Sequence, residues 1–232
     1  MTAETITNLL DRNQRHTDSL SLDYFDEVLD TQKPPLVSLC CSDSRVPQAL
    51  MWDAEEAGVV FTPSNIGNVA WDVRDGERVV DGNVLYPVAH TETETVAVVG
   101  HTGCGAVTAA YRYVVEGVEV EPERVRERIE SLFPVVENAL GSGVADGAED
   151  ESEAVNRLVE YNVREQVDFL LENDSVPDEV SVHGFVYDLH GVYGDLRGRT
   201  YLVSYEGETG VDEIRAHLPD GYEKFVRSLL DG

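Results

Sequence analysis

Thr95-Val96-Ala97-Val98-Val99-Gly100-His101-Thr102-Gly103-Cys104-Gly105 is a β-branched apolar run that ends in an imidazole and a thiol set between glycines. A second run, Pro35-Leu36-Val37-Ser38-Leu39-Cys40, leads in the same way into Cys41-Ser42-Asp43-Ser44-Arg45. Such uninterrupted runs read as strands buried on both faces, the condition of a parallel sheet covered by helices. In open α/β sheets the ligand site lies just beyond the carboxyl ends of the strands. Both motifs therefore place reactive side chains where this kind of sheet uses them.

Working outward, helical spacing (Ile6, Leu9, Leu10, then Leu20, Leu22, Phe25, Val28, Leu29) predicts helices over 2–11 and 17–30, within an N-terminal arm over 1–32. Strands are expected at 35–40, 58–62 and 95–100, with a helix over Gly82 to Thr91 before the third. Ala106 to Ala110 opens a further helix, and 122–140 is amphipathic and charged. The Gly-rich acidic stretch 141–153 reads as a solvated surface loop inside one domain, because apolar spacing resumes at Val155 and Leu158. A helix over about 152–173, a strand at 179–187, a last strand at 200–205 returning antiparallel, and a helix over 211–231 complete the reading. Alternation of strand and helix predicts an α/β fold, a mostly parallel sheet with helices on both faces, in one domain spanning 1–232.

Composition narrows the chemistry. The chain has 232 residues, with 45 acidic against 17 basic, a net charge of -28. Lys33 and Lys224 are its only lysines. The acids are spread over apolar-periodic segments, which predicts a folded protein with an acidic shell suited to a salt-rich, halophilic cytoplasm. That charge argues against nucleic acid and anionic membranes as partners. No run reaches the roughly 20 apolar residues of a membrane span, and the N-terminus lacks a signal-peptide pattern, so a cytoplasmic location is expected. Three cysteines, two of them adjacent, do not make a disulfide framework. Cys40 should alternate away from Cys41 into the core, as a small hydrophobe.

Cys41, His101 and Cys104 form the ligand set of a zinc site whose fourth position takes water or substrate. Asp43 and Arg45 just beyond Cys41 can pair, holding the carboxylate ionised. Asp43 then either orients the attacking water or swings onto the metal as a fourth ligand, closing the site. A structural zinc site with Asp43 as permanent ligand is the rival reading. It is disfavoured because one ligand stands about 60 residues from the His-x2-Cys pair, whereas structural sites gather two close pairs.

The two motifs resemble those of the β-class carbonic anhydrases. Asn65-Ile66-Gly67-Asn68 is similar to that family's turn after the second strand. Gly82 to Ala89 with Tyr86, Asn162-Val163, Gln166-Val167 and Gly184-Phe185-Val186-Tyr187-Asp188 before Gly191 extend the likeness over roughly 35–205. The resemblance implies a four-stranded parallel sheet with an antiparallel edge strand. It also implies a homodimer, or dimer of dimers, whose N-terminal helices embrace the partner near the active sites. The implied reaction is zinc-dependent hydration of carbon dioxide to bicarbonate, with Cys41, His101 and Cys104 as ligands and Asp43 and Arg45 as the orienting dyad. Ser64 stands where the family commonly has arginine before Asn65, so any anion contact of that arginine is missing. Alternatives are a hydrolase of carbon disulfide or carbonyl sulfide on the same fold, and a non-catalytic zinc-stabilised binding module. His90, His183 and His190 can carry protons near neutral pH, although ordinary structural roles are favoured for each. Trp71, Tyr86 and Tyr187 are read as core or interface aromatics.

Overall fold

The computed structural model describes residues 3–54 and 56–231. Helix α1 (Ala3–Ser19) merges the start of the two expected N-terminal helices, and its apolar side chains Ile6, Leu9 and Leu10 are exposed. The expected helix over 17–30 is not formed beyond Ser19; 22–28 is a chain of turns. Leu22 and Leu29 there are exposed, so the apolar spacing finds no surface to pack on.

Strand β1 (Leu36–Cys41) follows, then the single turn α2 (Gln48–Met51), and the short β2 (Val60–Phe61) and β3 (Ser64–Asn65). An antiparallel hairpin that the sequence reading did not anticipate comes next, β4 (Trp71–Arg74) and β5 (Glu77–Val80). Its turn is Asp75-Gly76, both at positive φ (54° and 84°), the geometry an Asp-Gly hairpin turn requires. Helix α3 (Gly82–His90) is capped by Asp81, whose carboxylate accepts from the Asn83 amide at 2.7 Å. Strand β6 (Thr95–His101) and helix α4 (Gly105–Glu116) hold the second motif between them.

The 122–140 segment forms α5 (Glu123–Ile129), a 3₁₀ turn, and α6 (Phe133–Gly141). Helix α7 (Glu151–Leu171) is capped by Asp150, so the loop expected over 141–153 ends there. Strands β7 (Ser181–Asp188) and β8 (Arg199–Tyr205) pair antiparallel. The expected C-terminal helix is confined to α8 (Val211–Ala216). Pro219-Asp220-Gly221 ends it, with Gly221 at φ 92°.

The sheet runs β2-β1-β6-β7-β8, the first four parallel and the last antiparallel, with β3 also lying parallel to β1. This is the α/β arrangement expected, a four-stranded parallel sheet with an antiparallel edge strand. Register sets Val37 beside Val96, Leu39 beside Val98 and His101 beside Tyr187. One face packs on α7, and that contact explains two glycines within the strands. A Cβ on Gly100 would lie 2.7 Å from Val163, and one on Gly184 would lie 2.7 Å from Val163 and 3.1 Å from Ser204. Gly184→Ala is therefore expected to destabilise the protein by about 1–3 kcal/mol, as overpacked cores do. Denaturant unfolding of the variant at constant salt measures it.

Candidate metal centre and its supports

Cys41 is the last residue of β1, His101 the last of β6, and Cys104 caps α4 three residues later. The structure brings all three together. Their ligand atoms lie within 4.8 Å of one another, and the two sulfurs are 3.9 Å apart. Two thiolates at the usual 2.3 Å from a tetrahedral zinc would be about 3.8 Å apart. His101 is 1% exposed; its Nδ1 lies 3.1 Å from the Thr102 carbonyl, to which it donates, while its buried Nε2 has no hydrogen-bond partner. That fixes the tautomer with a bare lone pair on Nε2, the usual way a protein presents a histidine to a metal. The residues present fit zinc.

Cys104, 3.9 Å away, holds Cys41 well below the ordinary thiol range, with the Gly67 amide adding to the effect. Cys104 is correspondingly pushed up by Cys41 and by burial. Cys40, fully buried on the opposite face beside Ala97 and Val99, is pushed up to about 12 by burial and is an inert core residue.

Asp43 and Arg45 form the expected dyad. Arg45 Nε and Nη2 donate to Oδ1 and Oδ2 of Asp43 at 2.9 and 2.6 Å, and the Arg45 amide donates to Oδ1 at 2.9 Å. This fork holds the Asp43 carboxyl far below the usual carboxylate range. Asp43 Oδ2 lies 3.7 Å from His101 Nε2, so the carboxylate faces the ligand cluster. Arg45 Nη2 also donates to the Gly103 carbonyl at 3.2 Å, tying the first motif to the second.

The loops carrying these groups are held by side chains that sequence reasoning left without a role. Gly67 and Asn68 both have positive φ (84° and 47°), which turns the Gly67 amide toward Cys41. Asn65 closes that turn through two bonds to the Val69 backbone. From α7, Asn162 donates to the Gly67 carbonyl at 3.1 Å, Gln166 accepts from the Ala70 amide at 2.7 Å, and Asn156 accepts from the Gly103 amide at 2.8 Å. The signal available in the sequence was their polarity on the apolar face of a helix. Asp188, fully buried, accepts from the amides of 190–193 and, at 3.3 Å, from the Thr102 hydroxyl. It thereby places His190 against Thr102, whose Oγ1 is 2.9 Å from His190 Nδ1.

Of the aromatics, Trp71 and Tyr187 are core, whereas Tyr86 is about half exposed. Ser64 is exposed on β3 opposite Cys40.

Residues 36–196 match the family described as carbonic anhydrase. The chain is 31% identical to a carbonic anhydrase of Emericella nidulans over 75% of its own length and 74% of that protein. It is 27% identical to carbonic anhydrase 2 of Mycobacterium tuberculosis over 83% and 85% of the two chains. Among solved structures, Coccomyxa β-carbonic anhydrase in complex with acetazolamide superposes with a TM-score of 0.70 at 24% identity, covering 99% of this chain and 95% of that one. One of the tetrameric β-carbonic anhydrases of Sordaria macrospora gives 0.65 at 23% identity, covering 87% and 94%. The chain belongs to the carbonic anhydrase family and has the fold of its β class.

Proposed function

We propose that this enzyme catalyses the reversible hydration of carbon dioxide to bicarbonate and a proton, with Cys41, His101 and Cys104 holding zinc. The observation that carries the reading is the Asp43–Arg45 dyad set against an otherwise complete three-ligand cluster. Zinc, when bound there, supplies the Lewis acidity that makes water a nucleophile near neutral pH. Asp43 stays ionised and acceptor-only, so it orients the attacking water through a hydrogen bond. Arg45 keeps that carboxylate aimed and off other partners. The family relationship favours carbon dioxide over carbon disulfide or carbonyl sulfide, and the dyad argues against a binding module, which has no use for an oriented carboxylate. Stopped-flow hydration of carbon dioxide by the zinc-loaded protein at high salt tests the proposal. Zinc-loaded, folded protein without catalysis above buffer would refute it.

The same reading includes a single domain over 1–232, a homodimer or dimer of dimers, and a cytoplasmic location in a halophilic cell. The exposed apolar face of α1 supports the oligomer, as does the tetrameric assembly named for the Sordaria macrospora enzymes. No helix among the described residues is long and apolar enough to cross a membrane. The charge of -28 supports the halophilic reading. Assembly concentrates this repulsion, which salt screens over about 3 Å at 1 M but only over about 10 Å at 0.1 M. Dilution to about 0.05 M salt is therefore expected to dissociate the oligomer and lower its melting temperature. Light scattering and circular dichroism across a salt series decide it, and an unchanged oligomer and melting temperature would refute it.

A further inference from the structure

The sheet face turned away from α7 is buried under Val46, Met51 and Trp52 over β1 and β6 but opens toward β8. Between Trp52, just after α2, and Tyr222 and Phe225, beyond α8, lies a cavity of about 730 Å³ floored by Phe185 and Leu202. That volume falls within the range of about 300–1,000 Å³ typical of small-molecule sites. Its walls are aromatic and aliphatic, and its only charged side chains are Arg197 and Arg199. No aspartate or glutamate lines it, in a chain with 45 of them.

Neither cavity arginine is neutralised by an acid, a state they share with five other arginines among the described residues. Eight of its fifteen arginines lie within ion-pair distance of a carboxylate (45, 112, 124, 126, 128, 157, 164 and 215). Among the described residues, neither Arg197 nor Arg199 does; Arg199 instead lies over the Phe225 ring at 5.2 Å. His183, also lining the cavity, has a buried Nδ1 without a hydrogen-bond partner. A guanidinium pair kept clear of acids beside an aromatic wall is the complement of an anion with an apolar body.

We propose that this cavity binds a small amphipathic monocarboxylate, its apolar body against Trp52, Phe185 and Tyr222 and its carboxylate on Arg197 and Arg199. The site is separate from the metal centre: none of Cys41, Asp43, Arg45, His101 and Cys104 lines it. Trp52 reports occupancy, because the only other tryptophan, Trp71, packs in the core on Phe169.

The test is calorimetry and tryptophan emission with zinc-loaded full-length protein titrated with phenylbutyrate at fixed high salt. Saturable binding of one molecule per chain is expected, with uncharged phenylbutanol at least about tenfold weaker, the loss of charge-assisted contacts. Combined Arg197→Leu and Arg199→Leu substitution should weaken phenylbutyrate to the same degree, while zinc-poor Cys104→Ser should bind as the parent does. If the double variant unfolds by circular dichroism, Arg197→Gln at the exposed rim carries the comparison. Absence of saturable binding overturns the proposal. So does binding lost in Cys104→Ser yet kept in the arginine variants, which would place the anion at the metal. A change of oligomeric state in the arginine variants without ligand would make the groove an interface between copies, and would overturn it equally.

Discussion

Cys104→Ser is expected to strip most of the zinc from the protein while leaving the fold standing. Cys104 is 1% exposed, and the amides of Ala106 and Val107 at the start of α4 point at its sulfur. Those donors favour an anionic thiolate. Serine offers them a neutral hydroxyl that neither ionises near neutral pH nor matches zinc's preference for sulfur. Changes behind the ligands alone cost about 10–100-fold in metal affinity, so losing a ligand is expected to cost at least about 100-fold. Metal analysis after equilibration with a zinc buffer measures the loss, and circular dichroism confirms the fold. Full zinc occupancy in folded Cys104→Ser would remove Cys104 from the ligand set.

Asp43→Ala is expected to keep zinc and lose turnover, by about 10²–10⁴-fold, the usual worth of a positioned proton acceptor. The pH dependence separates its two possible tasks. Arg45 depresses the folded pKa of Asp43, so the pair's stabilisation is complete above the unfolded value of about 3.9 and fades only as pH falls below it. Across the neutral and alkaline range Asp43 is therefore ionised throughout, and the loss should be the same at every pH there. If Asp43 instead closes the site as a fourth ligand, the substitution should raise activity on the acid side. Unchanged rates at all pH values would remove Asp43 from the mechanism.

Both predictions rest on residues that were legible in the sequence, for a physical reason. Cys41 and His101 end strands and Cys104 caps the helix that follows, and strand ends next to apolar runs are readable without tertiary information. The four-stranded parallel core was readable in the same way, since runs such as Val96 to Val99 admit little else. Segments whose conformation depends on distant surfaces were read less well. The 17–30 spacing promised a helix, but no part of the described chain covers Leu22 or Leu29. Helix 211–231 ignored Pro219 and Gly221. The β4–β5 hairpin was missed although Asp75-Gly76 marks its turn. The supports of the site were hidden for another reason: Asn156, Asn162 and Gln166 act on backbone 53 to 96 residues away, which no local pattern encodes.

Helix α7 touches the loop behind Cys41 through Asn162 and Gln166, and the loop before Cys104 through Asn156. Between them Glu160, fully buried, receives Tyr193, Ser228, Leu229 and Arg164. One helix thus sets the spacing between both halves of the metal centre and anchors the end of the chain. In a saturation-mutagenesis screen, intolerant positions should therefore trace a line of four buried polar residues along α7, Asn156, Glu160, Asn162 and Gln166. An inhibitor or engineering effort guided only by pocket-lining residues would pass over that line, although a single change there disturbs the two motifs together.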